Sequence, residues 1–170
     1  MSNNGTTYSI KSKTQYLQDN KMKKVRISVG LNQLNGYVNI DPLHGKNPEN
    51  FDEDVLPSEC NEIILENILE YIPQEQLPSM MEYWVSKMRH KGKISVKFTN
   101  LAAICRKYLY NRLTAAQINE LLYGSGQHVW DVRRGNYEAQ YIEEILLHMG
   151  LVITGKEISG TDVLLTAERP

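Results

Sequence analysis

Val25-Arg26-Ile27-Ser28-Val29 sets apolar residues at every second position, the period of a strand with one buried face. Gly30 closes it, and a second short strand, Gly36-Tyr37-Val38-Asn39-Ile40-Asp41, stops at Pro42. Glu62-Ile63-Ile64-Leu65-Glu66 has the continuous apolar centre of a strand buried on both faces. Lys93-Ile94-Ser95-Val96-Lys97-Phe98 alternates again, and two late strands, Leu151 to Ile158 and Asp162 to Ala167, flank a turn at Ser159-Gly160. Between the strands the period lengthens. Leu77, Met80, Met81, Trp84, Val85 and Met88 fall on one helical face, and Leu101, Ile104, Cys105, Tyr108 and Leu109 repeat the pattern. Thr114 and Gln117 form a capping box for a helix that reaches Leu122 and stops at Gly124. Tyr141, Ile142, Ile145, Leu146 and Met149 mark a last helix, closed by Gly150. Strands alternating with helices and ending on two adjacent strands predict an α/β fold, a mostly parallel sheet with an antiparallel C-terminal edge.

Residues 1–20 are polar and carry neither period, so they read as an N-terminal tail before a single domain over 21–170. The chain has 170 residues, 41% of them hydrophobic, enough for one sizeable core. Two cysteines, Cys60 and Cys105, exclude a disulfide scaffold and point to a reducing, cytoplasmic setting. The first residues lack the apolar segment of a secretory signal, and no apolar run approaches the ~20 residues of a membrane span. A formal net charge of −1 speaks against a generally basic nucleic-acid binder, so nucleic acid ranks last among the partners. The charge is nevertheless unevenly placed. Every charged residue from Glu49 to Glu82 is acidic, and every one from Lys87 to Arg112 is basic. These stretches read as two solvated faces of opposite sign, able to steer an anionic partner or to pair head to tail in a homo-oligomer. A smaller basic cluster, Lys21, Lys23, Lys24 and Arg26, reads as a solubilising start to the first strand.

Open α/β sheets bind ligands beyond the carboxyl ends of their strands, so the residues just after each strand are the ones to inspect. Gly30 permits close backbone approach to a ligand, Asp41 offers a carboxylate suited to a ribose diol, and Glu66 and Asn67 follow the third strand. Asp-Pro at 41–42 equally starts a turn. His44, His90, His128 and His148 share no metal-ligand spacing, so no metal site is expected, and neither cysteine has a histidine neighbour that would make it a nucleophile. Trp130, Asp131, Arg133 and Arg134 form an aromatic and cationic loop that reads as an acceptor-binding lid or as a surface turn around a partly buried Trp.

The order of these signals carries a resemblance. Val29-Gly30, Gly36 to Asp41, Asp52 to Pro57, Glu62 to Ile72, Lys91-Gly92-Lys93-Ile94, Leu122-Tyr123-Gly124 and Trp130 to Tyr137 resemble the small class I S-adenosylmethionine-dependent methyltransferases often found near glycosyltransferases. The likeness runs from about Lys24 to Pro170. It implies a Rossmann-like sheet with helices on both faces, S-adenosylmethionine as cofactor, and a small-molecule or glycan-type acceptor. It further implies that Gly30 and Asn32 pass under the methionine part of the cofactor, that Asp41 holds the ribose and that Asp52 lies near the adenine. Glu66 and Asn67 would face the transferred methyl, with Glu66 able to deprotonate an acceptor, and Trp130, Arg133 and Arg134 would bind substrate. On this reading Asp41→Ala abolishes cofactor binding without unfolding the domain.

Several residues depart from the family pattern. Leu31-Asn32 stands where a second glycine is usual, and Leu31 is expected to fill the space that glycine leaves for the ligand. The loop up to Gly36 is shortened, and Asn67, Tyr71 and Arg133 occupy usual histidine positions. Two functions follow: a divergent methyltransferase, or a binding or assembly module of the same fold that has lost its cofactor.

Overall fold

The computed structural model describes residues 22–170; the tail assigned to residues 1–20 lies outside them. Six strands form one sheet: β1 (Lys23–Ser28), β2 (Val38–Ile40), β3 (Cys60–Glu66), β4 (Met88–Thr99), β5 (Val152–Ser159) and β6 (Asp162–Glu168). Their order is β2-β1-β3-β4-β6-β5. The first four pair in parallel and β6 pairs antiparallel with both β4 and β5, as the sequence pattern predicts. Among the described residues there are four α-helices: α1 (Leu77–Ser86), α2 (Leu101–Leu109), α3 (Ala115–Tyr123) and α4 (Ala139–His148). Thr114 and Gln117 make the expected reciprocal capping box, and Gly124 is the C-cap of α3.

The alternation along each strand sorts the side chains. Val25, Ile27, Ile63, Leu65, Ile94, Val96, Val163 and Leu165 are wholly buried. They meet Leu77, Met81 and Trp84 of α1, Ile142 and Leu146 of α4, and Phe51 and Val55 of the 45–59 connection in one core. Ile104 of α2 is buried outside that cluster, and α3 buries no side chain fully. The intervening strand positions carry charge instead. Lys24 pairs with Glu62 at 2.7 Å, Arg26 with Glu66 at 2.7 Å and Lys97 with Glu66 at 3.4 Å, while Ile64 is only half-buried. The expected doubly buried strand is therefore apolar on one face and ionic on the other. Of the basic cluster, Lys23, Lys24 and Arg26 lie in β1 and form an ion-pair ladder, with Lys23 held by Glu59 at 2.8 Å, and Lys21 lies outside the described residues. Lys87, which the charge pattern puts on a solvated face, is buried against the rings of Tyr83 and Phe51 and paired with Asp52.

One connection shapes the site. Parallel neighbours ordinarily need a crossover of a dozen or more residues, most often a helix. Here residues 29–37 join β1 to β2 without a helix. The Asn39 side chain braces this short loop, accepting from the Leu34 N–H at 2.8 Å and donating to the Leu34 and Tyr37 carbonyls at 3.0 Å each. Arg26 adds a bond from Nη1 to the Asn32 carbonyl at 2.6 Å.

Candidate active-site cleft at the carboxyl ends of the strands

Gly30 and Asp41 leave the carboxyl ends of the neighbouring strands β1 and β2, and the structure brings them together. The Gly30 N–H donates to Asp41 Oδ2 at 2.9 Å, and the Leu43 N–H donates to Oδ1 at 2.9 Å. His44 Nδ1 lies 3.2 Å from Oδ2. The carboxylate is 5% exposed, and Asp41 is the N-cap of a single 3-10 turn over Pro42–His44. The Asp-Pro turn and the buried strand-end acid are one feature. Gly30 has a φ of 68°, and a Cβ there would lie 3.0 Å from the Trp130 indole and 3.3 Å from Leu43. Trp130 and Leu43 thus lie over Gly30, where the 125–131 loop folds back over the end of β1. Asn32 is exposed and contributes its backbone carbonyl to Arg26.

Glu66 ends β3 beside these residues. Arg26 grips its Oε2 through Nε at 3.0 Å and Nη2 at 2.7 Å. Burial pushes the Glu66 carboxyl up, but the Arg26 hydrogen bonds and the charges of Arg26 and Lys97 outweigh it and hold it below the usual carboxylate range. An ionised, paired Glu66 is a poor proton acceptor, which counts against the general-base role and leaves a positioning one. A group whose folded pKa is depressed stabilises the fold above its unfolded value, and that stability is lost as pH falls through the folded value. Glu66→Gln is therefore expected to cost on the order of 1.5–3 kcal/mol near pH 7, the worth of hydrogen bonds to a charged group. The cost should shrink as pH falls below the usual carboxylate range and through the folded-state value, where the wild-type carboxyl becomes protonated; urea unfolding at successively lower pH checks this. Asn67 takes a left-handed backbone, φ 50°, which asparagine tolerates well, and its N–H donates to the Lys97 carbonyl at 3.0 Å.

Asp52 does not join this group. It pairs with Lys87 and accepts from the Tyr83 hydroxyl at 2.8 Å, beside the amino ends of β3 and β4, where Cys60 pairs with Met88. The adenine role the resemblance implies for it is at odds with this position. The 45–59 connection runs the length of the core face, from the carboxyl end of β2 to the amino end of β3, so a residue soon after β2 lands at the far end of the sheet.

The 125–135 segment closes the cleft. Trp130 stacks on His128, with ring centroids 5.3 Å apart, and lies 6.1 Å from the Tyr71 ring. Asp131 anchors the segment by accepting from Tyr71 Oη at 2.9 Å and from the Ser125 N–H at 2.7 Å. Burial and the Asp131 bond push the Tyr71 hydroxyl up to about 12, so it remains the donor. Gly124 passes so close that a Cβ would lie 2.2 Å from the Asp131 carbonyl. Arg133 turns inward, donating to the Leu121 carbonyl at 2.8 Å, and its Nε is buried without a partner. Arg134 stays exposed and lines a cleft of about 270 Å³ with Val29, Leu43, Tyr71, Trp130 and Val132. The three substrate-binding candidates thus divide: Trp130 and Arg134 line the cleft, whereas Arg133 braces the loop from behind. Glu70 is a further anchor that the periodicity gave no reason to single out. Its Oε1 accepts from the Thr99 N–H at 2.7 Å, its carbonyl accepts from the Arg134 N–H at 2.7 Å, and its Oε2 is buried without a partner. Tyr71 and Asp131 were visible as polar residues in the right segments, but their pairing across the fold was not.

No family model matches the sequence, and no curated protein does. Solved structures do match in shape. The chain is similar to a SAM-dependent methyltransferase from Archaeoglobus fulgidus at 10% identity, covering 92% of this chain and 90% of that one with a TM-score of 0.55. It is similar to an S-adenosylmethionine-dependent methyltransferase from Mesorhizobium loti at 9% identity, 92% and 85% coverage and a TM-score of 0.55. Magnesium protoporphyrin IX methyltransferase from Synechocystis PCC 6803 with bound SAH matches at 13% identity, 92% and 80% coverage and a TM-score of 0.51. At such identities the likeness is one of architecture. The chain has the class I SAM-dependent methyltransferase fold.

Proposed function

We propose that this chain is a SAM-dependent methyltransferase that acts on a small-molecule or glycan-type acceptor in a cytoplasmic setting. The observation that carries the reading is the 2.9 Å bond between Gly30 and Asp41 at the carboxyl ends of adjacent parallel strands, in a fold shared with methyltransferases. The residues fit S-adenosylmethionine with one condition. Gly30 offers bare backbone, and Asp41 Oδ1, which accepts from the Leu43 N–H, keeps a second lone pair for a ribose hydroxyl, but the Trp130 indole lies where the ligand would approach. Trp130 therefore has to swing outward, and its ring then serves to keep water from the bound ligand. The cofactor supplies a methyl group on a sulfonium centre, and transfer to a nucleophile in line with it depends mainly on positioning. Tyr71 and Arg134 stand at the cleft and orient the acceptor, and Glu66, locked to Arg26, fixes the end of β3. With Glu66 ionised and paired, the acceptor brings its own nucleophile.

A second reading, a binding or assembly module without catalysis, is favoured by the indole over Gly30 and by the burial of the Asp41 carboxylate. Calorimetric titration with S-adenosylhomocysteine separates the two. Trp130→Ala removes the closed state, so it is expected to bind about tenfold more tightly than wild type, since apparent affinity scales with the open fraction. No heat from either protein would sink the enzyme reading and leave the module.

A further inference from the structure

Two surfaces outside the cleft have opposite charge and unsatisfied apolar area. The first is the end of α2 and the turn that follows. Tyr108, Leu109 and Tyr110 are 52%, 77% and 70% exposed, flanked by exposed Arg106 and Arg112. A contiguous stretch of large apolar and aromatic side chains in water is unusual for a surface without a partner. The second is a groove of about 410 Å³ between the 45–59 connection and α1. Met80 and Tyr83 form its floor, packed against the core, and Glu49 and Glu75 stand exposed at its edge. Among the described residues none of Glu49, Glu75, Arg106 and Arg112 makes an ion pair, although seven other lysines and arginines do: Lys23, Lys24, Arg26, Lys46, Lys87, Lys97 and Lys156. Arg106 and Arg112 thus flank the exposed apolar surface, and Glu49 and Glu75 edge the concave one.

We propose that these surfaces bind each other between two copies of the chain, the Arg106–Arg112 turn of one seating Tyr108 or Tyr110 in the Glu49/Glu75 groove of the next. A second copy is the occupant that fits, because both halves of the charge match lie on the same molecule and a net charge of −1 opposes self-association little. The contact is heterologous, so one end copy of any assembly keeps a free turn and the other a free groove, and assembly grows head to tail. A patch of this size gives weak association, steered and specified by charge rather than held by area.

The full chain in sedimentation velocity tests this. The weight-average mass is expected to rise with concentration at about 0.01 M salt and to return to the monomer near 1 M, where the screening length falls from ~30 Å to ~3 Å. Glu49→Lys with Glu75→Lys blocks the groove, and Arg106→Glu with Arg112→Glu blocks the turn. All four positions are exposed, and a wild-type circular-dichroism melt confirms that each variant folds. Each double variant alone should associate at least tenfold more weakly than wild type. Mixed, the intact turn of the first meets the intact groove of the second and the two reversed surfaces meet with their charges exchanged, so association should be regained. A wild-type monomer at low salt and high concentration, or self-association that neither variant weakens, would overturn the proposal. So would a mixture of the two variants that stays monomeric.

Discussion

Replacing Trp84 by alanine is expected to destabilise the domain by about 4 kcal/mol, as truncation of a large buried aromatic does. The melting temperature should fall by roughly 8–16 °C for a chain of this length. Trp84 has no exposed surface and sits on α1 in the middle of the core between helix and sheet. It also reaches across the layer, because its Nε1–H donates to the Pro48 carbonyl at 2.8 Å. The 45–59 connection has no helix or strand of its own, and it is held by that bond, by Phe51 and Val55 in the core, and by the Lys46–Asp54 pair at 2.7 Å. Truncation therefore opens a cavity and leaves a buried carbonyl without its donor. Trp84→Phe keeps most of the volume and loses only the bond, so it should cost about 1–3 kcal/mol. Urea unfolding of the three proteins checks the order; equal losses for alanine and phenylalanine would mean that the hydrogen bond, and not the packing, holds this connection.

Asp41→Ala is expected to cost about 2 kcal/mol, because it removes the N-cap of the Pro42–His44 turn and the charged acceptor of the part-buried Gly30 and Leu43 N–H bonds. This adds a cost in stability to the expectation that Asp41→Ala abolishes cofactor binding without unfolding the domain. The carboxylate that a ribose would use also ties the β1 loop to the start of the Pro42–His44 turn, so loss of binding in the alanine variant would not identify a contact. Asp41→Asn separates the two roles. It retains one acceptor oxygen and turns an amino group toward a backbone donor, so its stability should fall between wild type and alanine. If S-adenosylhomocysteine raises the melting temperature of the wild type and of Trp130→Ala, the gain should vanish in Asp41→Asn relative to that variant's own baseline. An undiminished thermal shift in Asp41→Asn would remove Asp41 from the binding site.

Local pattern carried the fold a long way. The alternation in Val25–Val29 and Lys93–Phe98, the helical stripe through Trp84, the capping box at Thr114 and Gln117, and the paired late strands all rest on forces within a few residues. These are burial at period two or near four and a reciprocal hydrogen bond across one helical turn. They are decided before the chain meets itself, and each stands in the structure close to where the sequence predicts it, except that Met88, placed on the helical stripe, opens β4 instead. The placement of Gly30 and Asp41 at adjacent strand ends belongs here too, since parallel neighbours align their carboxyl ends.

What only the tertiary structure decided is which polar groups find each other across the fold. Asp52 looked like a ligand for the same site as Asp41, yet the 45–59 connection carries it to the opposite end of the sheet and to Lys87. Arg133 looked like a partner for substrate and turned inward to a helix carbonyl, whereas Trp130 came to rest on Gly30 from a hundred residues away. Lys24 and Arg26 of β1, Glu62 and Glu66 of β3 and Lys97 of β4 looked solvated and are paired in a ladder fixed by strand register. Periodicity reports that a side chain faces in or out; it carries no record of distance between segments. A hydrogen bond or ion pair is made or lost within about an ångström, and that distance is set by the packing of the whole chain.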